Sequence, residues 1–193
     1  MKAERLMRCI DRSRPELAMV KTAEELVAHL AKPPRPRFRF EYERKSEILA
    51  FLQKHYEAWR KFDTRKADRL CSLTIEQAQG PRALATIPEL GKAWWATGDG
   101  KYGAAFERFY REVPTGKMFN WHEFNGLQAA IELDAFFLLL DCPQFTTEGR
   151  IAYLDHLHAI TADAWDTHTS RWQQLTLGPE GHNWYLHGMH VLP

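Results

Sequence analysis

Ile87-Pro88-Glu89-Leu90-Gly91-Lys92-Ala93-Trp94-Trp95-Ala96-Thr97-Gly98-Asp99-Gly100-Lys101-Tyr102 holds a helix start, a helix end and a second start. Pro88 suits a first helical position, where its fixed φ is already right and a backbone N–H has no intrahelical partner to lose. Glu89 beside it places negative charge at the positive end of the helix. Thr97-Gly98-Asp99 breaks the pattern: Gly98 can take the left-handed conformation that closes a helix, and Asp99 can cap the next. Tyr102, Ala105, Phe106, Phe109 and Tyr110 then recur at helical spacing until Pro114.

Working outward, the same grammar repeats. Leu6, Met7 and Ile10 suit a short helix over residues 2–12, interrupted by Pro15. Thr22-Ala23-Glu24-Glu25 is a capping box that opens a helix through Leu26, Val27 and Leu30. Lys32-Pro33-Pro34-Arg35-Pro36 ends it, and the Pro-rich chain that follows suits an extended piece with Phe38 and Phe40 as alternate side chains. Ser46 and Glu47 start another helix, with Ile48, Leu49, Leu52, Tyr56 and Trp59 as one apolar stripe. Lys66 to Gln79 gives a further helix with Ala67, Leu70, Leu73 and Ala78 inward, closed by Gly80-Pro81. Asn120 caps a long segment from Trp121 to Leu140, ended by Cys142-Pro143. Thr146 or Thr147 caps Glu148 to Trp165, with Ile151, Leu154, His158 and Trp165 on one side. No Val/Ile/Thr-rich alternating run interrupts this succession, so the chain reads as all-α, built from antiparallel helical hairpins. Trp94, Phe106, Phe109, Ile131, Leu138 and Leu154 are the expected core.

The totals bound the function classes. With 193 residues, 45% of them hydrophobic and 26% charged, the chain suits one globular unit with a sizeable core. Its longest apolar run, Ala135 to Leu140, is six residues, far short of a membrane span. The N-terminus lacks the apolar core of a secretory signal, which predicts a cytoplasmic chain; a different native N-terminus would allow the periplasm. Twelve Lys/Arg against seven Asp/Glu fall in residues 1–45. Arg35, Arg37 and Arg39 in that excess suit a solvated linker or a contact to an anionic polysaccharide. They do not form the stripe or module of a nucleic-acid binder. Cys9, Cys71 and Cys142 are far apart and lack CxxC spacing, which suits reduced thiols.

The last candidate stretch is Gly181-His182-Asn183-Trp184-Tyr185-Leu186-His187-Gly188-Met189-His190. Asn183 stands where a helix can begin and has two readings. As an N-cap its amide oxygen accepts a backbone N–H; at the mouth of a cleft its amide N–H groups can bind a carboxylate. His182, His187 and His190 invite a metal reading, but no Asp, Glu or Cys after Glu180 completes a shell, so no metal or other cofactor is expected. His156 with His158, and Glu132 with Asp134, are two residues apart on helices, point in different directions, and make poor joint ligands or acid/base pairs. Trp121 and Trp184, near helix starts, are candidates for stacking on a sugar.

Several motifs in order resemble one known family: Pro36-Arg37-Phe38-Arg39-Phe40, Ala67-Asp68-Arg69-Leu70, the stretch Pro88 to Tyr102, Trp121 at the start of the long helix, Phe145-Thr146, and Gly181-His182-Asn183-Trp184. Together they are similar to the helical N-terminal region of the heparinase II/III polysaccharide lyases, over roughly residues 30–193. The resemblance implies an N-terminal helical extension over 1–32 and, over 33–193, part of an incomplete (α/α) toroid truncated at its C-terminus. In the family a β-sandwich domain follows. The implied activity is β-elimination on a uronic-acid polysaccharide such as heparan sulfate or alginate, with Asn183 neutralising the substrate carboxylate. His182 is a second candidate catalytic residue, and Trp121 and Trp184 are candidate substrate contacts. In many relatives a His follows the Asn, whereas here His182 precedes it and Trp184 follows. The family's acid/base Tyr and His would fall beyond Pro193, so the chain alone is expected to be inactive. The alternative is a non-catalytic helical module that binds carbohydrate or another protein.

Overall fold

The structure is a computed structural model that describes residues 2–8, 10, 12–32, 42–78, 86–112 and 125–159. Among them every regular element is helical and no strand occurs. Three helices open the chain: α1 (Lys2–Arg8), α2 (Pro15–Ala18) and α3 (Ala23–Ala31). A 3₁₀ turn (Tyr42–Arg44) then leads into α4 (Lys45–His55), α5 (Glu57–Arg60), α6 (Arg65–Ser72) and α7 (Ile75–Ala78). The last four are α8 (Pro88–Thr97), α9 (Lys101–Glu112), α10 (Asn125–Leu139) and α11 (147–159).

Local chemistry sets most boundaries. Thr22 Oγ1 accepts the Glu25 N–H at 3.1 Å while the Glu25 carboxylate accepts the Thr22 N–H at 3.3 Å, the reciprocal box that opens α3. Pro88 takes the first turn of α8, and Gly98 ends it at φ 71°. Asp99 Oδ1 accepts the Lys101 N–H at 3.0 Å, so α9 starts at once and folds back on α8. Thr146 Oγ1 accepts the Gly149 N–H at 3.3 Å and starts α11.

Two expected helices are broken. The single stripe from Ile48 to Trp59 stops at His55, because Tyr56 adopts extended backbone (φ −126°, ψ 120°) before α5 begins. Gln53, Lys54, His55 and Tyr56 are all exposed, so no buried face holds the helix through that turn. The helix expected over Lys66 to Gln79 starts at Arg65 and divides at Leu73–Thr74. Thr74 and Gln77 exchange backbone-to-side-chain hydrogen bonds at 3.3 and 2.9 Å, a second capping box that opens α7. The Arg108 guanidinium holds the freed end of α6, donating to the carbonyls of Leu70, Cys71 and Leu73 at 3.4, 3.3 and 2.9 Å.

The apolar side chains of these helices form one cluster, from Leu6 of α1 to Leu154 of α11. The second half of α10 lies within it: Glu132 and every residue from Asp134 to Leu140 are buried, and Leu133 is half-buried. It lies against α8, closely enough that a β-carbon on Gly91 would stand 2.8 Å from Ala135 Cα. Trp94, Phe106, Phe109, Leu138 and Leu154 are buried as expected, and the Ile131 side chain lies outside the described set. Phe106 is a hub, its ring centroid 4.7 Å from Tyr110, 5.3 Å from Phe145 and 5.4 Å from Tyr153. Cys71 and Cys142 are free thiols, and Cys9 is not among the described residues.

α1 is fixed to α11. Arg5 donates from Nε and Nη2 to the two carboxylate oxygens of Asp155, at 2.8 and 2.7 Å. The Asp155 side chain is fully buried there, and paired, hydrogen-bonded geometry of this kind is what makes a buried charge tolerable.

Candidate functional site

Asn183, His182, Trp121 and Trp184 all lie outside the described residues, as does the Arg35–Arg39 segment. The chain enters the first two of these regions, 113–124 and 160–193, from the ends of α9 and α11, and it leaves 113–124 into the start of α10. The same three helices share a cluster of buried polar groups.

Tyr110, two residues before the end of α9, donates its hydroxyl to Glu132 Oε2 of α10 at 2.6 Å. Tyr153 of α11 stacks on Phe136, with centroids 4.7 Å apart, and is fully buried within reach of the charges on Glu132 and Asp134. His156, one turn further along α11 and also buried, meets the Tyr110 ring edge-on at 5.2 Å. Tyr42, from the 3₁₀ turn, stacks on Phe137 at 5.4 Å and adds a further phenol near Tyr153. Three helices and the turn before α4 therefore send hydroxyl, carboxylate and imidazole groups into one water-excluded place.

Burial pushes the Tyr110 hydroxyl well above the ordinary phenol range, and the Glu132 charge adds to the effect. Burial does the same to Tyr153, helped by the charges on Glu132 and Asp134. Both phenols therefore stay protonated at neutral pH, and Tyr110 acts as a donor. The Tyr153 hydroxyl finds no hydrogen-bond acceptor among the described residues, an expensive position for a buried donor. All of these groups are closed to solvent. Their chemistry is to fix the relative positions of the ends of α9, α10 and α11, not to touch a ligand directly.

Glu132 and Asp134, two residues apart on α10, are both buried. The imidazole that turns fully inward on α11 is His156, whereas His158, placed with Ile151 and Leu154 by periodicity, is half-buried. Tyr110 was legible only as a stripe aromatic, and Tyr153 does not fall on the stripe read for its helix. The available signal was two carboxylates inside the apolar run Ile131-Glu132-Leu133-Asp134-Ala135-Phe136, since buried acids require donors nearby.

A second feature lies at the start of α4. Lys45 Nζ sits 4.7 Å from the ring centroid of Trp94 and 5.8 Å from that of Trp95, a cation held over two indoles. Burial lowers its pKa, and the charge of Asp141 opposes that shift. Among the described residues no group of three or more His, Cys, Asp or Glu is arranged to hold a metal ion. Nor is any helix among them long and apolar enough to cross a membrane. Comparison with protein-family models, with curated proteins and with solved structures finds no match for the chain.

Proposed function

We propose that the chain supplies the N-terminal helical region of a polysaccharide lyase that cleaves a uronic-acid polysaccharide by β-elimination, its hairpins forming part of an incomplete (α/α) toroid. The ordered motifs from Pro36 to Trp184 support this reading. So does one structural observation: the Tyr110–Glu132 hydrogen bond, with Tyr153 and His156 packed against Tyr110, ties α9, α10 and α11 to one another. Helices locked together in this way suit the precise positioning of segments attached to them.

The chemistry assigns Asn183 a definite task. Removing the C5 proton of a uronate builds negative charge beside its carboxylate, and an amide N–H donor to that carboxylate stabilises the developing charge. Trp121 and Trp184 provide faces for sugar rings. The deciding experiment is Asn183→Asp in the full-length protein, following the unsaturated uronate product by ultraviolet absorbance. An N-cap tolerates Asp, which keeps the acceptor oxygen. A carboxylate binder does not, and turnover should fall by about 10²-fold or more in a normally folded variant. Turnover at the parent rate would make Asn183 a structural residue and remove the assignment.

A non-catalytic carbohydrate-binding module is the second reading, favoured by exposed aromatic rings on α4. Retention on uronans by a full-length protein that forms no unsaturated product would select it.

A further inference from the structure

Among the described residues three large apolar side chains are exposed: Met19, Phe51 and Tyr56. Scattered exposed hydrophobics are ordinary, but two of these three are neighbours. Phe51 is 55% and Tyr56 53% exposed, and their ring centroids are 6.3 Å apart. The His55 ring lies 4.5 Å from Phe51 and extends the same aromatic surface.

The sequence of α4 explains the placement. Ile48 and Leu49 pack against the core, which leaves Phe51 and His55, four residues apart, together on the outer face. Lys54, three residues from Phe51, shares that face. Tyr56 follows in the extended residue that separates α4 from α5. Residues 51–61 carry Lys54, Arg60 and Lys61 against Glu57 alone. Glu57 is engaged by Lys61 at 3.1 Å, while Lys54 and Arg60 form no ion pair among the described residues. The surface thus combines two open aromatic rings with one uncommitted cation, Lys54.

That combination selects a ligand chemistry. A lipid surface or an apolar peptide helix would want a continuous apolar strip, yet Gln53, Lys54 and His55 interrupt this one. A pyranose presents an apolar C–H face that an aromatic ring can cover while its hydroxyl rim stays in water, and a uronate adds a carboxylate for a cation. We propose that Phe51, Tyr56 and Lys54 form an accessory binding surface for a strand of uronic-acid polysaccharide. Phe51 and Tyr56 take sugar faces, and Lys54 takes a carboxylate. The proposal rests on the substrate class given under Proposed function.

The test is affinity electrophoresis of the full-length protein in native gels containing alginate or polygalacturonate, with gels of neutral glucan and of single-stranded DNA for comparison. Parent protein should be retarded by the uronans. Phe51→Ala/Tyr56→Ala should weaken retardation by about tenfold, the scale of one lost apolar side-chain burial. Lys54→Gln should weaken it less, with the difference shrinking as salt rises. All three residues are exposed, so unchanged thermal unfolding of the variants is expected and shows that folding is intact. Equal retardation of parent and ring variant overturns this proposal while leaving the substrate class standing. A parent that no uronan retards overturns both. Equal retardation by DNA, lost in the ring variant, overturns it in favour of nucleic acid.

Discussion

Ala135 occupies the space that a side chain on Gly91 would need: a β-carbon there would stand 2.8 Å from Ala135 Cα and 3.0 Å from its Cβ. Small residues at this crossing let α8 and α10 approach backbone to backbone, and the obstacle is main chain that cannot swing aside. Gly91→Ala should therefore destabilise the protein by about 1–3 kcal/mol despite the better helix propensity of alanine. Urea denaturation gives the measurement. A gain in stability would mean that the two helices separate freely.

Alkaline pH should weaken the fold through Tyr110 and Tyr153. A phenol is neutral when protonated and ionises near pH 10 in an unfolded chain, whereas burial raises both of these well above that. Below about pH 10 both states hold the proton and the stability is fully present. Above it the unfolded chain releases protons that the native state retains, so stability falls as pH rises, by about 1.4 kcal/mol per pH unit for each tyrosine. Tyr110→Phe/Tyr153→Phe should show a correspondingly shallower decline between about pH 10 and 11 in denaturant titrations. Identical slopes would show that the phenols ionise within the folded protein.

The two hydroxyls should differ at neutral pH. Tyr110→Phe deletes a 2.6 Å bond to Glu132 and should cost about 1.5–3 kcal/mol, the range for a hydrogen bond to a charged group. Tyr153→Phe removes a donor that meets no acceptor among the described residues and should be nearly neutral, within about 0.5 kcal/mol. Thermal denaturation of the two single variants decides the ordering.

Glu107 governs α11 from a different helix. Its carboxylate accepts the Thr146 N–H at 2.6 Å and the Thr146 hydroxyl at 2.9 Å, and Arg111 supports it at 2.8 Å. Glu107→Ala should cost about 2–3 kcal/mol and lower hydrogen-exchange protection first in residues 147–150, while Glu107→Gln, which keeps one acceptor oxygen, should lose about half as much. Uniform loss of protection across all helices would show that Glu107 has no special hold on α11.

Phe106→Ala would empty a site bounded by Tyr110, Phe145 and Tyr153, and should cost roughly 3–5 kcal/mol. A loss below about 1 kcal/mol in chemical denaturation would mean that the surrounding rings collapse into the space.

Which features the sequence disclosed follows from the range of the forces that set them. Pro88, Gly98, Asp99 and the Thr22–Glu25 box act within a few residues of themselves, so their letters alone predict α3, α8 and α9. The break at Tyr56 depends on what is missing beside it: four exposed residues with no core to hold them, which a stripe of spaced apolar letters cannot reveal. Thr74-x-x-Gln77 was a local signal of the same kind as Thr22, masked by the apolar periodicity running through it. The Glu132–Tyr110 bond joins residues 22 apart and exists because α10 is enclosed, a fact about neighbours that its own sequence shows only as acids in an apolar run. Asn183, His182, Trp121 and Trp184 were picked out by motif order, and their test lies in the variants proposed for the full-length protein.

The clasp between Arg5 and Asp155 has a consequence for synthesis. A ribosome extends a chain at about 5–20 residues per second, so Asp155 emerges roughly 8–30 s after Arg5. Throughout that interval α1 exists without its anchor, and seven residues are too few to hold a helix alone. α1 is therefore made well before it is secured to α11, although it can pack on α3 long before Asp155 arrives.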